Sequence, residues 1–332
     1  MKSLLKSEET YIVENSHPPP TTSAAHGAVL SPLAVLMKST PLGYVFALLA
    51  FAIFSVQDGV SKHLGTAYPP VLVAMIRYWA FGLFAILLAM RARGGLKAAI
   101  ATKRPVLQIL RGLLLAVQIP IAISAFTMVG LAQSQAIFAS GPLIVALLSV
   151  PILGEKVGWR RWTAIIVGLC GVLLILGPSS DGFNILVVLP LAVALIGALY
   201  GLTTRLVSRV DGPVTSFFYI GTVGAVALTI AGPFFWTEIA ASDWKWMILL
   251  CFTGITAHFL LIKAYDNLTA VAVQPITYLQ LVLVSFIAVT VFGETLKWNT
   301  VVGAVIVVGA GLFTVWRENV LARRASQDAT AA

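Results

Sequence analysis

The stretch Gly154-Glu155-Lys156-Val157-Gly158-Trp159 returns as Gly293-Glu294-Thr295-Leu296-Lys297-Trp298, displaced by 139 positions. The same displacement pairs Ala125-Phe126 with Ala264-Tyr265, Gln135 with Gln274 and Ile137 with Ile276, with no gap from about 111 to 174. Displacements of 142 and 143 lay Gly59 and Leu64 on Gly201 and Leu206, and Pro70-Val71 on Pro213-Val214. The chain reads as two copies of one unit. Apolar sequences match easily by chance, so most of the weight falls on the shared Gly-Glu followed four residues later by Trp.

Polarity between these marks says what each unit contains. Of 332 residues, 59% are apolar and 11% charged, against roughly 25% charged in a soluble domain. The charges collect in short gaps between uncharged runs of about 20 residues, the length that crosses a hydrocarbon core of roughly 30 Å. A soluble enzyme is excluded. The runs are 41–63, 70–90, 107–127, 132–153, 160–177, 184–204, 214–236, 245–264, 271–292 and 298–316. Backbone in lipid must bond to itself, which leaves helices or a closed barrel, and these runs lack a barrel strand's alternating polarity. The expected fold is an all-α integral membrane protein of ten transmembrane helices. Five helices per unit is an odd number, so equivalent helices cross in opposite directions, giving an inverted repeat with halves 41–178 and 184–317. Residues 1–38, with Pro18-Pro19-Pro20 and early acids Glu8 and Glu9, read as a disordered tail without a cleavable leader. Residues 318–332 read as a polar, mobile C-terminal tail.

The net charge of +9 does not point to nucleic acid, because no basic stretch is interleaved with stacking aromatics. It marks orientation instead. Assigned alternately to two sides, Lys and Arg fall overwhelmingly on the side of the N-terminal tail, including Arg91, Arg93, Lys103, Arg104, Arg160, Arg161, Arg205 and Arg317. The other side receives only Lys62, Lys245 and Lys297, so both termini are expected in the cytoplasm and the protein in the inner membrane. Cys170 and Cys251 lie inside apolar runs and read as packing residues.

Two five-span halves, each with an Ala-aromatic pair closing its third helix, a Pro in its fourth (Pro142, Pro275) and a Gly-Glu before a Gly-rich fifth, resemble EamA-type members of the drug/metabolite transporter superfamily. The resemblance covers nearly all of 41–317. It implies a ten-helix bundle with a central cavity and alternating access. The segment Phe54-Ser-Val-Gln-Asp-Gly-Val-Ser-Lys-His-Leu64, with Tyr68-Pro69 and Arg77, is similar to a subgroup that includes importers of S-adenosylmethionine and of riboflavin.

An ionisable residue inside a span costs a few kcal/mol on insertion scales and is a functional candidate by default. Asp58 and Arg77 sit at similar depth in the first two runs. They either lock these helices as a salt bridge, or Arg77 anchors a substrate carboxylate or phosphate through its planar fork. Asp58 is a possible carrier of a coupling proton, although an adjacent Arg would lower its pKa and argues against that role. Arg111, one turn into the third run, is expected to snorkel to the headgroups. Gln118 and Pro120 suit a cavity wall, and Ser140-Gly141-Pro142 breaks the fourth run near its middle. His258 is more often a structural residue than a proton carrier. Tyr278 and Gln280, nearest mid-depth, suit substrate contact, whereas Tyr200 and Tyr219 suit the interfacial belt. Glu155 and Glu294 read as structural, each complementing the dipole of the helix that follows it. Gly197-Ala-Leu-Tyr-Gly201, Gly168 with Gly171, and Gly309 with Gly311 read as close helix contacts.

No His-Glu-x-x-His, Gly-x-x-x-x-Gly-Lys or Cys/His cluster is present, so no metal, cofactor or nucleotide-driven chemistry is indicated. The expected function is secondary transport of a small polar or zwitterionic, amino-acid-like metabolite, by a monomer or homodimer whose partners are cargo and lipid, with a coupling proton as a further candidate. The substrate-binding set is Asp58, Arg77, Gln118, Ser140, His258, Tyr278 and Gln280. The alternatives are an importer of a heteroaromatic or nucleoside-like metabolite such as riboflavin or S-adenosylmethionine, and a non-transporting membrane subunit or receptor.

Overall fold

The computed structural model describes residues 40–331 apart from 93, 154–157, 178–184, 209 and 269. The expected tail 1–38 and Glu155 lie outside the described residues. Among those described the chain is all-helical: α1 Pro41–Ala67, α2 Pro70–Arg91, α3 Gly95–Ile100, α4 Pro105–Met128, α5 Leu131–Phe138, α6 Gly141–Leu153, α7 Trp159–Leu176, α8 Val188–Val207, α9 Pro213–Ala231, α10 Trp244–Asn267, α11 Ala270–Thr290 and α12 Trp298–Ala331. Nine helical segments there are long and apolar enough to cross a membrane. α5 and α6 together make one of them, Leu131–Ile152. The expected run 271–292 is helical as α11, but its apolar stretch, Pro275–Thr290, is shorter than the rest.

Local chemistry fixes the boundaries. Pro41, Pro70, Pro105 and Pro213 open α1, α2, α4 and α9, where the missing N–H is no loss and φ is already helical. Thr40 caps α1, its Oγ1 accepting from the Gly43 amide at 3.3 Å. The fourth run breaks between α5 and α6 at Ala139-Ser140, as its Ser-Gly-Pro predicts. Two elements differ from expectation. The gap after α2 holds the short helix α3, and α12 runs on through the polar 318–331, whose Ala, Arg, Glu and Gln favour helix.

Helices pair in a regular way: α1 packs along α10, α4 along α8, α2 along α9 and α7 along α12, while α11 lies on α1 and α6 on α8. Leu72, Met75, Tyr78, Phe81, Met247 and Leu250 fill the main core. A second core joins α5–α7 to α11 and α12 through Ile137, Leu143, Ile175 and Val307. Leu83, Val106, Ile230 and Val305 point outward and are exposed, as the lipid-facing side of a span requires. The chain is a multi-pass integral membrane protein.

The α2–α9 contact depends on glycine. A Cβ on Gly224 would stand 2.0 Å from the Tyr78 ring, which is itself buried. Gly224→Ala is expected to destabilise by about 1–3 kcal/mol through overpacking, less the roughly 1 kcal/mol that alanine returns in helix propensity. A lowered melting midpoint in detergent checks this; an unchanged midpoint would show that the ring can move aside.

At the basic end of the bundle Asp211 ties the α8–α9 turn to the segment before α4. It accepts from Thr102 Oγ1, from Gln108 Nε2 at 2.8 Å and from the Lys103 amide at 3.5 Å. Partial burial works to raise its carboxyl pKa, but these bonds and the Arg104 charge outweigh it and hold the group below the usual carboxylate range. A depressed folded pKa stabilises above the unfolded value, and that stabilisation is lost as pH falls through the folded one. Asp211→Asn is therefore expected to melt lower than wild type at pH 7, with the two curves converging in acid. A pH-independent gap would contradict it.

Candidate functional site

Four of the predicted polar residues converge inside the spans. On α1, Phe54, Gln57 and Asp58 share one face at i, i+3 and i+4. Gln280 of α11 donates to Asp58 Oδ2 at 2.7 Å. No ion pair joins Asp58 to Arg77, so of the two alternatives the salt-bridge lock between α1 and α2 is not formed; Gln280 supplies the carboxylate's partner instead. Arg77 has no hydrogen bond to any described residue and feels Asp58 only at longer range. From α10, His258 turns its Nδ1 to the Gly254 carbonyl at 2.8 Å, one turn back along the helix. Its ring sits edge-on to Phe54 and Phe81, each 5.0 Å away between centroids, with Phe217 at 6.5 Å.

Two residues that were not predicted belong to this cluster. Gln57 is 4% exposed and its Oε1 has no partner. Gly254 is the floor beneath it, since a Cβ there would lie 3.2 Å from Gln57 Oε1 and 3.4 Å from Arg77 Nε. The signal was present in the sequence: Gln57 precedes Asp58 and shares a helix face with Phe54, and Gly254 stands one turn before His258.

The other predicted residues lie elsewhere. Gln118 faces α8, donating to the Val193 carbonyl at 3.4 Å and crowding Gly197. Ser140 is spent locally on the Ile137 carbonyl at 2.6 Å. Tyr278, two residues from Gln280, is on the far side of α11, and its hydroxyl occupies the space a Cβ of Gly311 would need. Arg111 does not snorkel. It is 3% exposed between α4, α8 and α9, donates to the Ser216 carbonyl at 3.1 Å and lies over the Tyr200 ring, because α9 packs over that part of α4 and closes the way to the headgroups. Tyr200 is therefore the seat of a cation rather than a belt residue, whereas Tyr219 does reach the bundle end, at the Ile100 carbonyl.

Glu294 also differs from its expected role. Its carboxylate caps α5 rather than the helix that follows it, accepting from the Leu131 amide at 2.7 Å and the Ala132 amide at 3.1 Å. Gly130, at φ 112°, makes the tight turn that aims these amides. Lys62 of α1 pairs with the same carboxylate and lies over the Phe292 ring. The assembly borders a recess of about 470 Å³ lined by Lys62, Thr127, Gln133, Glu294, Lys297 and Thr300, at the bundle end and not at the buried cluster.

A model of the EamA-like transporter family matches the chain twice, over residues 41–177 and 184–316. The protein belongs to the EamA-like transporter family. EamA-type chains of the drug/metabolite transporter superfamily are membrane carriers rather than enzymes, with small-molecule cargo and the bilayer as their partners. The chain is 29% identical over 282 residues to an S-adenosylmethionine uptake transporter of Rickettsia bellii, covering 85% of this chain and 96% of that protein. It is 28% identical over 294 residues to a riboflavin transporter of Vibrio cholerae, covering 84% and 95%. A solved crystal structure aligns with a TM-score of 0.56 at 21% identity, over 89% of this EamA-type chain and 99% of the other, a likeness of fold alone.

Proposed function

We propose that this EamA-family chain imports a heteroaromatic metabolite across the cytoplasmic membrane by alternating access, with S-adenosylmethionine as first candidate and riboflavin as second. The observation that carries the reading is an arginine without a hydrogen-bonding partner, inside a span, beside a carboxylate and a group of aromatic rings. Such a site can donate to an acceptor on the cargo while ring faces contact its flat part. The relatives favour this cargo over the amino-acid-like one, because the names of both describe molecules built on a heteroaromatic ring. Phe54 and His258, both half-buried, supply faces for such a ring.

Rocking of two halves requires the inverted repeat, which we include in the proposal as ten spans with both termini cytoplasmic. The double family match supports it, and so does the packing. α1 on α10 is the counterpart of α8 on α4, α11 on α1 that of α6 on α8, and α2–α9 and α7–α12 each join equivalent helices. Counterflow in proteoliposomes tests the reading. Vesicles are preloaded in turn with S-adenosylmethionine, riboflavin, amino acids or nucleosides, and entry of the matching labelled compound is followed. An overshoot with either of the first two is expected. An overshoot confined to amino acids would restore the amino-acid-like cargo, and silence from folded protein across the whole panel would overturn the importer reading.

A further inference from the structure

An amide oxygen left bare in a buried, lipid-embedded site keeps a desolvation penalty that a donor would remove. Gln57 Oε1 is such an atom, on a side chain 4% exposed. Beside it stands a donor, the half-buried Arg77 guanidinium, which makes no hydrogen bond to a described residue. Both heads approach α10 where Gly254 presents no side chain, and Oε1 and Nε both lie close to the single point that a Cβ there would occupy, at 3.2 and 3.4 Å. An unused acceptor and an unused donor thus face the same small region, next to the half-buried rings of Phe54 and His258.

We propose that Gln57 and Arg77 together read the edge of a heteroaromatic cargo, Gln57 Oε1 accepting a ring-system N–H while the guanidinium donates to the acceptor atom next to it. The proposal rests on the importer reading and narrows it to a ligand chemistry. S-adenosylmethionine and riboflavin differ in charge and in their tails, but their rings share this pattern. Adenine carries an amino N–H beside a ring nitrogen, and the flavin ring carries an imide N–H beside a carbonyl. A carboxylate offers acceptors only and would set its lone pairs against those of Gln57 Oε1. This point in the site therefore selects an amide-like edge and disfavours a simple acid. Gln57 is a specificity-determining residue, and Gly254 positions it.

Competition against counterflow by the full chain tests the pair. If S-adenosylmethionine is carried, the competitors are adenosine and N6,N6-dimethyladenosine; if riboflavin is carried, they are riboflavin and its N3-methyl derivative. In wild type the methylated compound is expected to compete at least about tenfold less well, since a site built to bond an N–H rejects the analogue lacking it. In Gln57→Leu that gap should close to within about threefold, because no acceptor remains to be left unpaired. Gln57→Glu, which keeps an acceptor, should preserve it. A gap of the same size in wild type and Gln57→Leu overturns the pair and leaves the importer reading standing, whereas transport of neither cargo by wild type overturns both. Should Gln57→Leu fail to fold, Gly254→Ala decides, since alanine favours the helix. Its methyl crowds both heads, so the unmethylated competitor should weaken at least about tenfold with an unchanged melting midpoint, and unaltered competition would overturn the proposal.

Discussion

Arg77→Ala is expected to abolish counterflow while the protein remains folded. The guanidinium is the charged donor of the proposed cargo site and carries no hydrogen bond within the described protein, so its removal strands no polar partner. Asp58 keeps the bond from Gln280. The loss falls on the cargo instead, whose acceptor would be desolvated without a partner. Truncating one side of a buried charged hydrogen bond costs about 2–5 kcal/mol, and at about 1.4 kcal/mol per tenfold the initial rate at low cargo concentration should fall at least about 30-fold. Arg77→Lys keeps the charge but loses the planar fork, so a partial loss is expected. The measurement is counterflow per reconstituted molecule beside a melting curve in detergent. Uptake within twofold of wild type would remove Arg77 from the site. A collapse of the melting curve would instead show that the residue serves the fold.

The helices were legible because lipid imposes one demand on every span: its backbone must bond to itself and its outer face must be apolar. Runs of uncharged residues bounded by Pro or Gly announce this without reference to the rest of the fold. Asp58, Arg77 and His258 stand out as candidates for the complementary reason, since a charged or titratable group in such a run is costly and conspicuous. The partnerships do not. Whether Asp58 meets Arg77 or Gln280 depends on the rotation of three helices about their axes, which is set by the α1–α10, α2–α9 and α1–α11 packing and has no local signature. Tyr278 and Gln280 show a limit that could have been read. Two residues along a helix are separated by about 200°, so the pair was never able to face one cavity together. Arg111 failed as a snorkelling residue because depth alone says nothing of which neighbour covers the side chain. Gln57 carries a weaker signal, because a neutral amide in a span costs less than the charge of the aspartate beside it, although the bare acceptor is the more informative group once burial is known.

Glu294→Ala is expected to give the largest loss of stability among single changes outside the cargo site. The carboxylate joins three elements: from the α11–α12 turn, both its oxygens hold amides of α5, and one also holds the Lys62 ammonium of α1. Loss of a helix cap costs about 1 kcal/mol. Breaking a buried ion pair costs about 3–5 kcal/mol, to be reduced here because the two side chains retain 12% and 17% exposure. A total of about 3 kcal/mol follows, which at 2–4 °C per kcal/mol lowers the melting midpoint by about 6 °C or more. The two contributions can be separated. Lys62→Ala removes the ion pair but leaves the α5 cap, so it should cost less than Glu294→Ala, and once Glu294 is gone the further loss of Lys62 should cost little, because that ammonium has no pair left to lose. Costs that add in the double variant would mean that Lys62 and Glu294 act independently, and that the contact between them holds nothing together. Non-additive costs would make this contact the joint that fastens α1 to α5 and the α11–α12 turn at the recess end.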